Sequence, residues 1–145
     1  MTTSSDPLPS RRTEALPEGT VSVLEWGDAG RPLDLVFLHA TGFNAQTYAP
    51  LLAPLSAQHR IVAVDQRGHG LTRLPANPER LVDWWPYARD LIQLLDRWVP
   101  DGAPPVVLAG HSMGGIVALL AASERPRAVS GLVLLDPVLM PTAMR

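Results

Sequence analysis

Ser112 is the residue of this chain whose surroundings point most directly to chemistry. It lies in Gly110-His111-Ser112-Met113-Gly114, after the apolar run that begins at Val106 and before the Ala- and Leu-rich stretch from Ile116 to Ala122. A serine on a sharp strand-to-helix turn, the G-x-S-x-G nucleophile elbow, presents its hydroxyl for attack on an electrophilic carbon. Such a turn is strained and the chain passes close on both sides, so the flanking positions must lack bulky side chains. Gly110 and Gly114 provide that room. A serine oxygen is a weak nucleophile near neutral pH until a positioned base takes its proton. The four histidines, His39, His59, His69 and His111, all precede Ser112, and none follows it. Two carboxylates stand directly after apolar runs: Asp65, and Asp136, which comes 24 residues beyond Ser112.

The elements that must position these groups are legible as alternating short apolar runs and longer mixed ones. Val21 to Trp26 has the period-2 pattern of a half-buried outer strand, closed by the turn Gly27-Asp-Ala-Gly30. Leu33 to Leu38, with its apolar core Leu35-Val-Phe-Leu38, and Arg60-Ile-Val-Ala-Val64 are strands of the kind buried on both faces of a parallel sheet. Between them, Tyr48, Leu51, Leu52 and Leu55 follow a helical spacing that Pro50 and Pro54 break into pieces. From Leu81 to Val99 the apolar positions Trp84, Ala88, Leu91, Leu95 and Trp98 predict a helix with one face on a sheet. Asp83 is its expected N-cap, Pro86 falls in the first turn, and Trp84 and Trp85 are expected to be packing residues. The elbow strand and its helix follow, and Val129 to Leu135 is one more buried strand.

Strands alternating with helices predict an α/β fold: a mostly parallel sheet, right-handed crossovers and helices on both faces. Reactive groups in such sheets gather beyond the carboxyl ends of the strands. His39-Ala40-Thr41-Gly42, Asp65 to Gly70, Ser112 and Asp136 all fall at strand ends and so are expected at one edge. That convergence weighs more than the elbow motif alone.

Composition narrows the partners. The apolar share of 46% and charged share of 18% are those of an ordinary globular domain, and a net charge of -2 gives no attraction to nucleic acid or to a membrane surface. With no cysteine there is neither a disulfide framework nor a thiolate metal site, and a cytoplasmic setting is expected. No apolar run has the length of a signal peptide core or a membrane span. Residues 1–12 are expected to be a disordered tail and 13–145 a single, partial domain.

The elbow, Asp65-Gln66-Arg67-Gly68-His69-Gly70 and the His39 loop together resemble the α/β-hydrolase superfamily. The resemblance implies Ser112 as nucleophile and an oxyanion hole built from the backbone N–H groups of Met113 and Thr41. It implies that His39, Asp65 and Arg67 are structural, with Asp65 and Arg67 fixing one another or nearby backbone. Where the family has His-Gly at the loop start, this chain has His39-Ala40, a departure that leaves a backbone donor in place. The family's order is serine, acid, histidine. Asp136 is the candidate acid, with strand-end punctuation as its other reading. His69 belongs to a structural motif, His111 is directed away from the exposed face of Ser112, and His59 lies at the opposite edge of the sheet.

The implied activity is cofactor-free, metal-free hydrolysis of a small-molecule ester or related bond through an acyl-enzyme. A serine at the elbow argues against the dehalogenase and epoxide hydrolase branches of the family, which use aspartate there. The simplest account of the missing histidine is that these residues are the N-terminal half of a longer hydrolase, a fold truncated after the strand that follows the elbow, or a chain completed by a partner segment. Leu132 to Leu135 would then form an exposed edge strand, a route to self-association. The alternative is a catalytically silent module that keeps the fold and lacks the base.

Overall fold

The computed structural model describes residues 6–139. Residues 1–5 of the expected tail and residues 140–145 of the expected domain lie outside the described residues. Six strands form one sheet: β1 (Ser10–Leu16), β2 (Gly19–Trp26), β3 (Leu35–Leu38), β4 (Ile61–Val64), β5 (Val106–His111) and β6 (Val129–Leu135), in spatial order β1-β2-β4-β3-β5-β6. The β3/β4, β3/β5 and β5/β6 pairs are parallel, while β1/β2 and β2/β4 are antiparallel. Three α-helices connect the parallel strands: α1 (Ala49–Leu52), α2 (Trp85–Trp98) and α3 (Met113–Glu124).

Strand order explains the layering. The chain steps from β3 to β4 in one direction, then from β4 over β3 to β5, and on to β6, in the other. With crossovers of one hand, a reversal of direction puts the connecting helices on opposite faces. Accordingly, α2 and α3 pack on the face carrying Val21, Val23, Val36, Leu38, Val62, Val64 and Leu108. The segment containing α1 covers the other face, with Leu24, Trp26, Phe37, Ile61, Ala63 and Ala109. Since β3 and β5 are neighbours whose connections leave in opposite directions, a crevice opens between the loops after them.

Two expectations change at the first strands. Residues 10–12, assigned to the tail, begin β1, and Val21–Trp26 is not outermost but lies between β1 and β4, buried from end to end. The apolar pattern misses β1 because polar groups hold this edge strand: Arg11 bonds Ser22 and Asp65, Arg12 bonds Glu25, and Glu14 accepts from the Trp98 indole. Those pairings also let Ser22 and Glu25 be buried on the two faces of β2.

The helices follow their sequence signals with one displacement. The proline-broken stretch is a 3-10 turn (Ala45–Tyr48), α1, and a second 3-10 turn (Ala53–Ala57), opened by a capping box between Asn44 and Thr47. Helix α2 starts one residue later than an Asp83 N-cap implies; Asp83 instead accepts from the Trp85 amide at 2.9 Å. Its core face carries Ala88, Leu91, Leu94 and Leu95, and also Asp90, with Trp84 and Trp98 packed at the rim. Helix α3, wedged against sheet and α2, is apolar nearly all round, as a doubly covered helix must be. Among the described residues, no helix is long and apolar enough to cross a membrane.

Candidate active site

The turn from β5 into α3 holds Ser112 at φ 52°, ψ −113°, a conformation that L residues rarely occupy. The two motif glycines make it possible. A Cβ on Gly110 would lie 2.2 Å from the Gly114 carbonyl oxygen, and one on Gly114 would lie 2.0 Å from the Leu38 carbonyl oxygen. Strand β5 and helix α3 therefore close on one another, and α3 closes on the end of β3, at distances that only hydrogen permits.

Main-chain bonds on either side of Ser112 fix the turn. Its amide donates to the Leu135 carbonyl at 2.9 Å, and its carbonyl accepts from Gly115 at 2.9 Å and Val138 at 3.3 Å. The hydroxyl forms no capping bond to α3, which leaves it available to a reactant. In the parallel β5/β6 register His111 sits opposite Leu135, so Asp136 comes at the end of the strand adjoining the elbow. Asp136 is exposed and takes a left-handed φ of 48°.

Across the crevice lies the loop after β3. Thr41 is exposed on it, and its Oγ1 donates to the buried Met113 Sδ at 3.3 Å, so the two residues expected to supply amide donors are in contact. Neither the Thr41 nor the Met113 amide has a protein acceptor among the described residues. Two unpaired N–H groups beside an unengaged hydroxyl can accept the negative charge that builds on a carbonyl oxygen under attack.

Histidines tie this loop to the one after β4. His39 is fully buried; its Nδ1–H donates to the Ala40 carbonyl at 2.8 Å and its Nε2 accepts from the Gln66 amide at 2.9 Å. Burial pushes its pKa down to about 4, so the imidazole is neutral near pH 7. Gln66 returns a bond from Nε2 to the His39 carbonyl at 2.7 Å. His69 holds Nδ1 against the Arg67 carbonyl at 2.9 Å and accepts from the Gly42 amide on Nε2 at 3.0 Å. His111 Nδ1 meets the Tyr48 hydroxyl at 2.7 Å, and His59 lies at the far edge, 3.9 Å from Asp34. Among the described residues none of the four imidazoles hydrogen-bonds the Ser112 hydroxyl.

Asp65 and Arg67 do not pair with one another. Asp65, buried at the end of β4, accepts from the amides of Ala45 at 2.8 Å and Leu71 at 3.0 Å and from Arg11 at 3.0 Å. Arg67 turns the other way, onto Asp90, Glu18 and the Pro75 carbonyl. Their partners are remote in sequence, 54 residues away for Arg11 and 23 for Asp90, so local reading could not find them. The residue that sequence reasoning missed is Tyr48, read only as an apolar helix position; its hydroxyl also accepts from the Ala40 amide at 3.0 Å. Among the described residues no cluster of His, Asp or Glu could hold a metal ion.

This arrangement has counterparts among known proteins. The alpha/beta hydrolase family matches residues 35–145. Monoglyceride lipase of Rattus norvegicus is 37% identical over 120 residues, covering 79% of this chain and 38% of that protein. Protein phosphatase methylesterase 1 of Mus musculus is 36% identical over 107 residues, covering 72% of this chain and 27% of that protein. The chain therefore spans less than half the length of these relatives. A thioesterase domain from the curacin biosynthetic pathway shares the fold with a TM-score of 0.80, covering 95% of this chain and 50% of that one, at 23% identity. The family match extends over most of the sheet and both sides of the crevice, and the chain belongs to the alpha/beta hydrolase family.

Proposed function

We propose that the chain carries the nucleophile and oxyanion hole of a serine hydrolase acting on carboxylic esters. The observation that carries this reading is the Ser112 turn: a hydroxyl held at positive φ beside the Met113 and Thr41 amides, all three without a protein hydrogen-bond partner among the described residues. Both relatives named above are, by name, hydrolases of oxygen esters, which supports that bond over an amide or a carbon–halogen bond.

In this reading Ser112 Oγ attacks the ester carbonyl and its proton passes to a base. The carbonyl oxygen, now negative, accepts from the Met113 and Thr41 amides, and collapse expels the alcohol with a proton and leaves an acyl-serine. Water adds to that acyl group, releasing the acid and restoring the hydroxyl. None of the four imidazoles bonds the Ser112 hydroxyl among the described residues, so in this reading the base is not one of them. Asp136, at the neighbouring strand end, is the candidate acid that would orient a base.

The same commitment of the histidines favours a second reading, a catalytically silent module with the elbow intact. A fluorophosphonate probe separates the two, since it reacts only with activated serines. Labelling at Ser112 that the Ser112→Ala variant lacks, with turnover of short-chain p-nitrophenyl esters, supports the hydrolase. Labelling no faster than in Ser112→Ala removes the hydrolase reading for these 145 residues, though not for a longer chain that contains them, and supports the silent module.

A further inference from the structure

Tyr48 occupies a position that the ester-hydrolase reading leaves unexplained. Its hydroxyl accepts from the Ala40 amide at 3.0 Å and meets His111 Nδ1 at 2.7 Å. Ala40 immediately precedes Thr41, and His111 immediately precedes Ser112. One oxygen atom therefore links the residue before an oxyanion donor to the residue before the nucleophile, across the crevice between the β3 and β5 loops.

The Ala40 N–H occupies one lone pair of the phenol, and the remaining hydroxyl capacity, one proton and one lone pair, meets His111 Nδ1 in whichever direction the imidazole tautomer sets. The ring is held as firmly as its hydroxyl. Its centroid lies 4.5 Å from that of the buried Phe37 and 6.4 Å from that of Phe43, and the 3-10 turn carrying it is fixed by the Asn44–Thr47 capping box and by Asp65 on the Ala45 amide. An oxyanion donor works only when aimed at the position that the negative oxygen takes, and displacements of about 1 Å lower rates by about 100-fold.

We propose that Tyr48 is a positioning residue that sets the separation between the Thr41 amide and Ser112, through hydrogen bonds to Ala40 and His111. This rests on the reading of Ser112 as nucleophile. A role of this kind acts on the reaction step and not on the capture of reagent.

Tyr48→Phe keeps the ring packing and removes only the bridge. With the 145-residue chain and a fluorophosphonate, the maximal labelling rate at Ser112 is expected to fall about 10-fold while the reagent concentration for half-maximal rate stays within about 2-fold. His111→Ala should fall comparably, and the double variant no further than either single, the signature of one shared link. Native-state exchange of the Ala40 amide should accelerate in Tyr48→Phe. Wild-type labelling by Tyr48→Phe, or additive losses in the double variant, overturns the proposal. If the wild-type chain does not label, the Ser112 reading fails for these 145 residues, and the exchange measurement decides the bridge by itself: an Ala40 amide equally protected in both proteins overturns it.

Discussion

Arg67 grips Asp90 through two parallel hydrogen bonds, Nε to Oδ2 at 3.0 Å and Nη2 to Oδ1 at 2.8 Å, and so ties the loop after β4 to the core face of α2. Both residues are at least nine-tenths buried. Removing Arg67 leaves the buried Asp90 carboxylate without its partner, which costs about 3–5 kcal/mol. Arg67→Met is therefore expected to lower the unfolding free energy in urea by about that amount, and Asp90→Ala by less, because Arg67 keeps Glu18 and the Pro75 carbonyl. Asp90→Ala combined with Arg67→Met should lose less than the sum of the single losses, because no charge is left uncompensated; strict additivity would show that the pair acts independently.

The elbow glycines give a steric prediction. Gly114→Ala places a methyl group 2.0 Å from a carbonyl oxygen of the sheet, where nothing flexible can yield. A destabilisation of about 3 kcal/mol or more is expected from chemical denaturation. Gly102→Ala meets open space at a positive φ of 86°, so it suffers only backbone strain and serves as the milder control.

His39 sets a pH window. Its folded-state pKa of about 4 lies below the ordinary value of 6.5, because burial disfavours the imidazolium. A group lowered on folding contributes its full stability above the unfolded value and loses it as pH falls. Stability should therefore decline between pH 6.5 and pH 4, by about 3 kcal/mol from this group. Urea midpoints across that range test the slope, and the His39 Cε1–H resonance should not titrate above pH 5.

The edge strand β6 gives an association prediction. Among the described residues it pairs only with β5, and Leu132, Val133 and Leu135 are 37%, 48% and 40% exposed. Sedimentation velocity is expected to show concentration-dependent self-association of the 145-residue chain, and Val133→Lys is expected to suppress it. A monomer at all concentrations would remove β6 as an interaction edge.

Much of this architecture was legible in the sequence because burial on both faces of a sheet leaves continuous apolar runs, as in Leu35–Leu38 and Ile61–Val64. The amphipathic stripe of α2 and the G-x-S-x-G turn read equally clearly, since one follows from helical period and the other from sterics. Features held by polar groups acting at a distance did not. Strand β1 shows no apolar alternation because ion pairs and an indole secure it, Asp90 breaks the apolar stripe of α2 because Arg67 lies 23 residues earlier, and Tyr48 shows its polar use only once Ala40 and His111 are brought to it.

The Ser112 turn is held by its neighbours' main chain: the Leu135 carbonyl on its amide, and the Gly115 and Val138 amides on its carbonyl. The side chain contributes no bond to that geometry. The scaffold is consequently indifferent to which atom it presents. A thiol or a carboxylate at position 112 would leave those main-chain bonds in place, so a single codon change would present a different nucleophile from the same turn.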